Sequence, residues 1–464
     1  VATLDTDDVF KAASFRQSAG SSLTQFDGAV TLTGEFDFTG QALGFNAAGN
    51  SIGGTMGVSN SGVFKTADGA DLTVTGQFTQ DGPSTSSIGA DITAIAGMSF
   101  AKGILLTGKD LITFATGGAS GQDIVLGTDN TTDISGSGQA LTLNAGAAGD
   151  ITIEGNVGAA NAALGAITII NADQVLFDET VTAASFTQSA ANTTTGLTTF
   201  DDTVDLSGTF GFTGQALTLN EALGSGDAVT IANAGLFSVA DDATITAGGG
   251  FTQDGAGAMS LGANITTTNT GITIGSALTL LDDGTAGQTI QLATGSGAGA
   301  IQLAGITGGN GTLNNSLTLV SGSGTTTVSG VVSKMDALTV QASGADGVVT
   351  FQNNVTATSL STAAGAYALS LQGGSTTITG AVTFTNTGAL TLGNDNGDTL
   401  VFTGGMTAAD SSVVNVHGTL HAAGAAQISV GDTDTGVAVS GTTVIGGVTT
   451  GGITVAAVTL ADGA

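Results

Sequence analysis

The chain has no cysteine and no tryptophan, one proline, one tyrosine and six cationic residues in 464. Each scarcity excludes something. Without cysteine there are no disulfides and no thiol chemistry. With one Pro against 76 Gly, and hydrophobic residues at 41%, the chain is neither collagen-like nor a polar disordered tract. The cations Lys11, Arg16, Lys65, Lys102, Lys109 and Lys334 are scattered rather than clustered, so the chain offers nucleic acid no phosphate-binding surface. Apolar runs reach nowhere near the 18 or so residues that a membrane-spanning helix needs, so no transmembrane segment is expected.

What is present is acid, glycine and β-branched residues. Acidic residues number 37, for a formal net charge of −31, and only Glu35, Glu154, Glu179 and Glu221 are glutamates. Asp is the acid of turns, because its short side chain bonds the backbone nearby. The charge is therefore expected at chain corners. Abundant Thr, Val and Ile, with Gly to supply positive φ, favour many short strands joined by tight turns.

Internal repetition sets the architecture. AASFRQSAG begins at Ala12, AASFTQSAA at Ala183 and, more loosely, ATSLSTAAG at Ala357. FDGAVTLTGEFDFTGQAL from Phe26 corresponds to FDDTVDLSGTFGFTGQAL from Phe200, and FTQDG occurs at Phe78 and again at Phe251. These matches divide the chain into strand-repeat units over 1–178 and 179–352 and a third, partial and slimmer unit over 353–464, poor in Phe, with one continuous solenoid as the joint reading. Within each unit the recurring element is a triplet, apolar–Thr–apolar, as at Leu141 to Leu143, Ile151 to Ile153 and Ile272 to Ile274. In a strand such a triplet turns two side chains inward and one outward. Strands this short bury a core only by stacking, which predicts an all-β, elongated β-solenoid, a right-handed parallel β-helix, with roughly 20 to 25 residues per coil and about 20 coils. Stacked β-sandwich domains are the alternative and require longer alternating strands.

The stretch LTLNAGAAGDITIEGNVGAANAALGAITIINADQVLFDETVTAASF, Leu141 to Phe186, resembles the strand-repeat units of giant bacterial surface proteins. Those are similar to filamentous haemagglutinin and autotransporter passengers. The resemblance implies a right-handed parallel β-helix outside the cell, serving adhesion, filament formation or a surface coat.

Chemistry is harder to find. Enzymes that cleave acidic polysaccharides on β-helices need cations or metal and aromatic platforms, and neither is abundant here. His417 and His421, in VNVHGTLHAAG, lie on a strand–Gly–strand pattern rather than on one helix face, so they read as surface histidines. No enzyme is expected. The cofactor the residues suit is Ca2+, since Asp in Gly- and Asn-rich turns offers hard oxygen ligands. The candidate ligands are Asp5, Asp7 and Asp8; Asn394, Asp395, Asn396 and Asp398; and Asp432 and Asp434. The pairs Asp201-Asp202, Asp241-Asp242 and Asp282-Asp283 recur at a spacing near two coils and are expected along one edge.

These features predict a secreted, extracellular or cell-surface structural subunit. It assembles head to tail with copies of itself into a filament, sheath or surface layer, because both ends carry strand repeats without a cap. The first residue, Val1, fits removal of a targeting segment. The alternative is an adhesin passenger or stalk that binds cell-surface glycans through loops in its N-terminal third.

Overall fold

The structure is a computed structural model describing residues 4–6, 8–117, 121–128, 133–189, 196–281, 288–309, 314–342, 344 and 347–460, with only the backbone considered for 4–6. Among these residues there is no helix; the chain is a parallel β-solenoid of about 19 turns. Two compact units divide it, residues 1–227 with 231–235, and residues 228–230 with 236–464.

In the first unit each coil contributes three short strands, and each strand stacks on its counterpart one coil away. One side runs through Leu23–Phe26, Ala42–Phe45, Phe64–Thr66, Ser86–Ile88 and Ile104–Leu106. A second runs through Val30–Leu32, Asn50–Ile52, Leu72–Val74, Ile92–Ala94 and Leu111–Thr116. The third runs through Phe36–Gly40, Met56–Asn60, Phe78–Gln80, Met98–Phe100 and Ile124–Leu126. All these pairings are parallel, which rules out the sandwich alternative: face-to-face sandwiches are built from antiparallel hairpins and Greek keys. Longer strands such as Leu164–Asn171 and Val181–Gln188, and Ile272–Leu280 in the second unit, turn a corner and pair on both of its sides.

The apolar–Thr–apolar triplets give the alternation they predict. Leu72 and Val74 are buried while Thr73 is exposed, and Ile151 and Ile153 are buried around a half-buried Thr152. Inside the first unit the inward residues stack from coil to coil. Phe26 and Phe45 rings lie 5.4 Å apart, Phe64 and Phe78 5.7 Å, Phe78 and Phe100 5.1 Å, and Phe100 and Phe114 5.7 Å. A second run joins Phe177, Phe186, Phe200 and Phe210. Phe26 over Phe45, Phe177 over Phe200 and Phe186 over Phe210 stack in register at the ~4.8 Å strand spacing, whereas Phe64 and Phe78 meet inside the core from different sides of one coil. Each fully buried Phe contributes about 1.5–3 kcal/mol of transfer free energy. The second unit fills its core mainly with Ile, Leu and Val, and with the fully buried Tyr367.

The repeated FTQDG has a structural reason. Gln80 and Gln253 are fully buried, and each donates its amide to the carbonyl of the Gly two residues on, Gly82 at 3.4 Å and Gly255 at 3.2 Å. Asn233 does the same to Gly235 at 2.6 Å, and Asn60 to Gly62. Gln80 also donates to Asn60 Oδ1, one coil back, at 2.8 Å. An amide turned inward at the corner satisfies carbonyls that the turn would otherwise bury without partners.

Candidate functional site

The polar side chains that stand out in this fold lie at the coil corners, in the position immediately before a strand triplet. There an Asp or Asn side chain accepts the backbone N–H of the equivalent residue one coil later. Asp71 Oδ1 accepts from Asp91 at 3.1 Å, Asp91 Oδ1 from Thr113 at 2.8 Å, Asp123 Oδ1 from Asp150 at 3.0 Å and Asp150 Oδ1 from Gln174 at 3.1 Å. Asp133 Oδ1 takes both the backbone and the side-chain N–H of Asn156, at 3.2 and 2.9 Å. In the second unit Asn264 and Asn354 play the same part toward Gln291 and Ser375, at 2.7 and 2.9 Å. Asp suits the position because its carboxylate is one methylene from the chain and reaches an N–H one strand spacing away.

The sequence carried this signal in DLTV from Asp71, DITA from Asp91, DIVL from Asp123 and DITI from Asp150. Reading adjacent acid pairs instead of the acid ahead of each triplet missed it.

Stacking these acids has an electrostatic consequence. Burial, together with the facing carboxylates of Asp123 and Asp173, pushes the Asp150 carboxyl above the ordinary Asp value, against the opposing effect of the Gln174 N–H. At the earlier corner a cation intervenes. Lys109 Nζ lies 2.5 Å from Asp91 Oδ2 and 4.0 Å from Asp71 Oδ1, and the bond to Asp91 leads the effects that raise the Lys109 ammonium above its usual range.

The sequence-derived metal candidates separate. The side chains of Asp5 and Asp7 lie outside the described residues, and Asp8 is exposed. Asn394, Asp395, Asn396 and Asp398 do come together, in a tight corner. Asp398 is buried, and its Oδ2 accepts the backbone N–H groups of Asn394 and Asp395 at 2.7 and 2.9 Å. Asp395 Oδ1 accepts from Gly397 at 3.1 Å. Asn396 Oδ1 bonds His417 Nε2 and the Thr442 N–H, both at 2.8 Å, and so ties three successive coils. Asp432 Oδ1 accepts the N–H groups of Asp434 and Thr435, each at 2.9 Å, and these hold its carboxyl below the ordinary range; Asp434 is exposed. One carboxylate oxygen of each of Asp395, Asp398 and Asp432 is thus engaged by backbone donors. Among the described residues no three His, Cys, Asp or Glu side chains are grouped to hold a metal ion.

Of the three acidic pairs, Asp282 and Asp283 lie outside the described residues. Asp201 Oδ1 accepts from Asn220 Nδ2 at 2.6 Å, matching Asp27 Oδ1 with Asn46 Nδ2 at 2.5 Å in the homologous FDGAV and FDDTV segments. Asp202 Oδ1 accepts from the Thr203 N–H at 2.6 Å. In the second unit Asp241 bonds Gln288, and Asp242 adopts a left-handed backbone with φ of 64°. His417 and His421 sit on either side of Gly418, itself at φ 81°, on the strand Val413–His421.

Concavities on the outer faces are shallow. One, of about 390 Å3, is bordered by Thr273, Gly275, Gln302, Ala304, Thr327 and Ser329. Another, of about 490 Å3, lies along the ladder of Asp133, Asn156 and Thr180. No helix of the described residues is long and apolar enough to cross a membrane. No protein-family model, no curated protein and no solved structure matches the chain.

Proposed function

We propose that this chain is an extracellular structural subunit that assembles with copies of itself into a filament, sheath or surface layer. The observation that carries this reading is where the polar side chains go. Corner Asp and Asn residues, the inward Gln and Asn amides and the Asn394–Asp398 corner all bond backbone groups of their own or the next coil. These are the groups from which an active site would be drawn, and here they hold coils in register. The resemblance of the segment Leu141 to Phe186 to β-helical surface proteins points the same way and supplies the extracellular location.

Self-association rests on the fold itself, because parallel coils add one strand edge to the next and a further coil can extend the stack. With a net charge of −31 per copy, association at low ionic strength is opposed by repulsion and is favoured by calcium. Electron microscopy and sedimentation at near-neutral pH, over a range of protein concentration with and without calcium, test this reading. Filaments or ordered sheets are expected, and monomers at every concentration in both conditions would overturn it.

A further inference from the structure

On one side of the second unit the outward positions form a single in-register ladder. Thr273 pairs with Gln302, Gln302 with Thr327, Thr327 with Thr350, Thr350 with Ser370 and Ser370 with Thr391. Each coil therefore presents one hydroxyl or amide, repeated at the ~4.8 Å spacing of stacked strands. The residues two before and two after each of these six, from Gly271 and Gly275 to Ala389 and Gly393, include no Asp, Glu, Lys or Arg. In a chain of net charge −31 this side of the unit is an uncharged strip of hydroxyl, amide and methyl groups.

The ladder also differs from the corners in what its side chains do. Among the described residues Thr273, Gln302, Thr327 and Thr350 make no side-chain hydrogen bond, whereas Ser370 Oγ is buried without a partner and Thr391 Oγ1 accepts from Asn415 Nδ2 at 3.4 Å. Nor do these side chains fill the core, since they point away from it. The polar groups of Thr273, Gln302, Thr327 and Thr350 are available to something outside the protein.

The charge pattern narrows what that is. A second copy brings acidic corners along with any neutral strip, and so meets repulsion. A neutral glycan is held chiefly by aromatic faces, but in this unit Phe237, Phe251, Phe351, Tyr367, Phe384 and Phe402 are all fully buried. Ordered water requires neither counter-charge nor aromatic platforms. A row of hydroxyls and amides at a fixed spacing holds first-shell waters in a row, while the threonine methyl groups between them favour a hydrogen-bonded cage over radial hydration. The repeat along the ladder is close to an oxygen repeat of hexagonal ice. We propose that the ladder from Thr273 to Thr391 is an ice-binding strip, whose partner is the water lattice at the surface of an ice crystal.

The test uses the full chain in slowly growing ice, with partition between ice and liquid and the freezing–melting gap as readouts. The native chain is expected to be enriched several-fold in the ice fraction, and to open a measurable gap, relative to the chain carrying T327K and T350K. A chain carrying T79K and T152K, outward positions of the first unit, is expected to behave as the native one. Circular dichroism and melting temperature check that the variants fold. Exclusion of the native chain from ice, or equal enrichment of the T327K/T350K chain, would overturn the proposal. Two further measurements identify the other occupants. Retention on microcrystalline cellulose that T327K/T350K abolishes, without ice enrichment, would replace ice by a neutral glycan. Concentration-dependent sedimentation lost in the same variant, without ice enrichment, would replace it by a second copy.

Discussion

Asp91 donates its backbone N–H to Oδ1 of Asp71, 20 residues earlier, at 3.1 Å, and its own Oδ1 accepts the N–H of Thr113, 22 residues later, at 2.8 Å. One residue type at one position thus serves as donor to the coil behind and acceptor for the coil ahead. Where both members of a link are Asp, as at Asp71 and Asp91 or Asp123 and Asp150, the link also places one carboxylate near the next.

Lys109 relieves that repulsion at the corner of Asp71 and Asp91. K109M is expected to lower stability by about 0.2–1 kcal/mol, since the pair is partly exposed. Added salt should narrow the difference between variant and native chain, because it screens the acids left behind. The Lys109 pKa is raised above 10.5, so its contribution is present in full below that value and is lost only as pH rises through the higher folded value. Thermal melts at pH 7 in low and high salt measure the effect.

Asp150 behaves in the opposite sense to most carboxylates. Its folded pKa is raised above 3.8, so the native state binds the proton more tightly than the unfolded chain in the window just above 3.8. Stability therefore falls as pH rises through that window. D150N keeps the acceptor for Gln174 and removes the charge, so it should melt at or above the native temperature at pH 7 and flatten the pH dependence. D150A loses the acceptor and should cost about 1 kcal/mol. Melts between pH 3 and 7 of the three chains separate charge from hydrogen bond.

The ring stack predicts a large core effect. Phe64 is fully buried, with rings of Phe45 at 6.4 Å and Phe78 at 5.7 Å. F64A should destabilise the fold by about 3–5 kcal/mol, and F64L by much less, because leucine refills most of the volume. Chemical denaturation followed by far-ultraviolet circular dichroism is the measurement.

Gly158 is held at φ 74°, and a Cβ there would stand 2.1 Å from the Thr182 carbonyl oxygen, which belongs to the next coil. G158A must therefore distort both the turn and the stacking above it. A loss of about 1–3 kcal/mol is expected, with faster amide exchange at Val157 and Thr182 as the local signature.

The sequence by itself determined that this chain coils. Side-chain alternation is local: Leu72, Thr73 and Val74 bury, expose and bury whatever lies above them, and strands of three residues bury nothing unless they stack. Inward Phe and outward Thr were legible for the same reason. Which residues meet between coils was decided only by the tertiary structure, because coil length varies. Ser225 bonds Gly208, 17 residues away, while Ser135 bonds Ile104, 31 away. No fixed period therefore carries Asp123 onto Asp150 or Thr327 onto Thr350; those meetings follow from how each corner absorbs its insertion. The same variation decides the candidate site. Asn394, Asp395, Asn396 and Asp398 read as oxygen ligands along the chain, but the corner they form turns backbone N–H groups onto the Asp395 and Asp398 carboxylates, and brings His417 and Thr442 from the following coils onto Asn396.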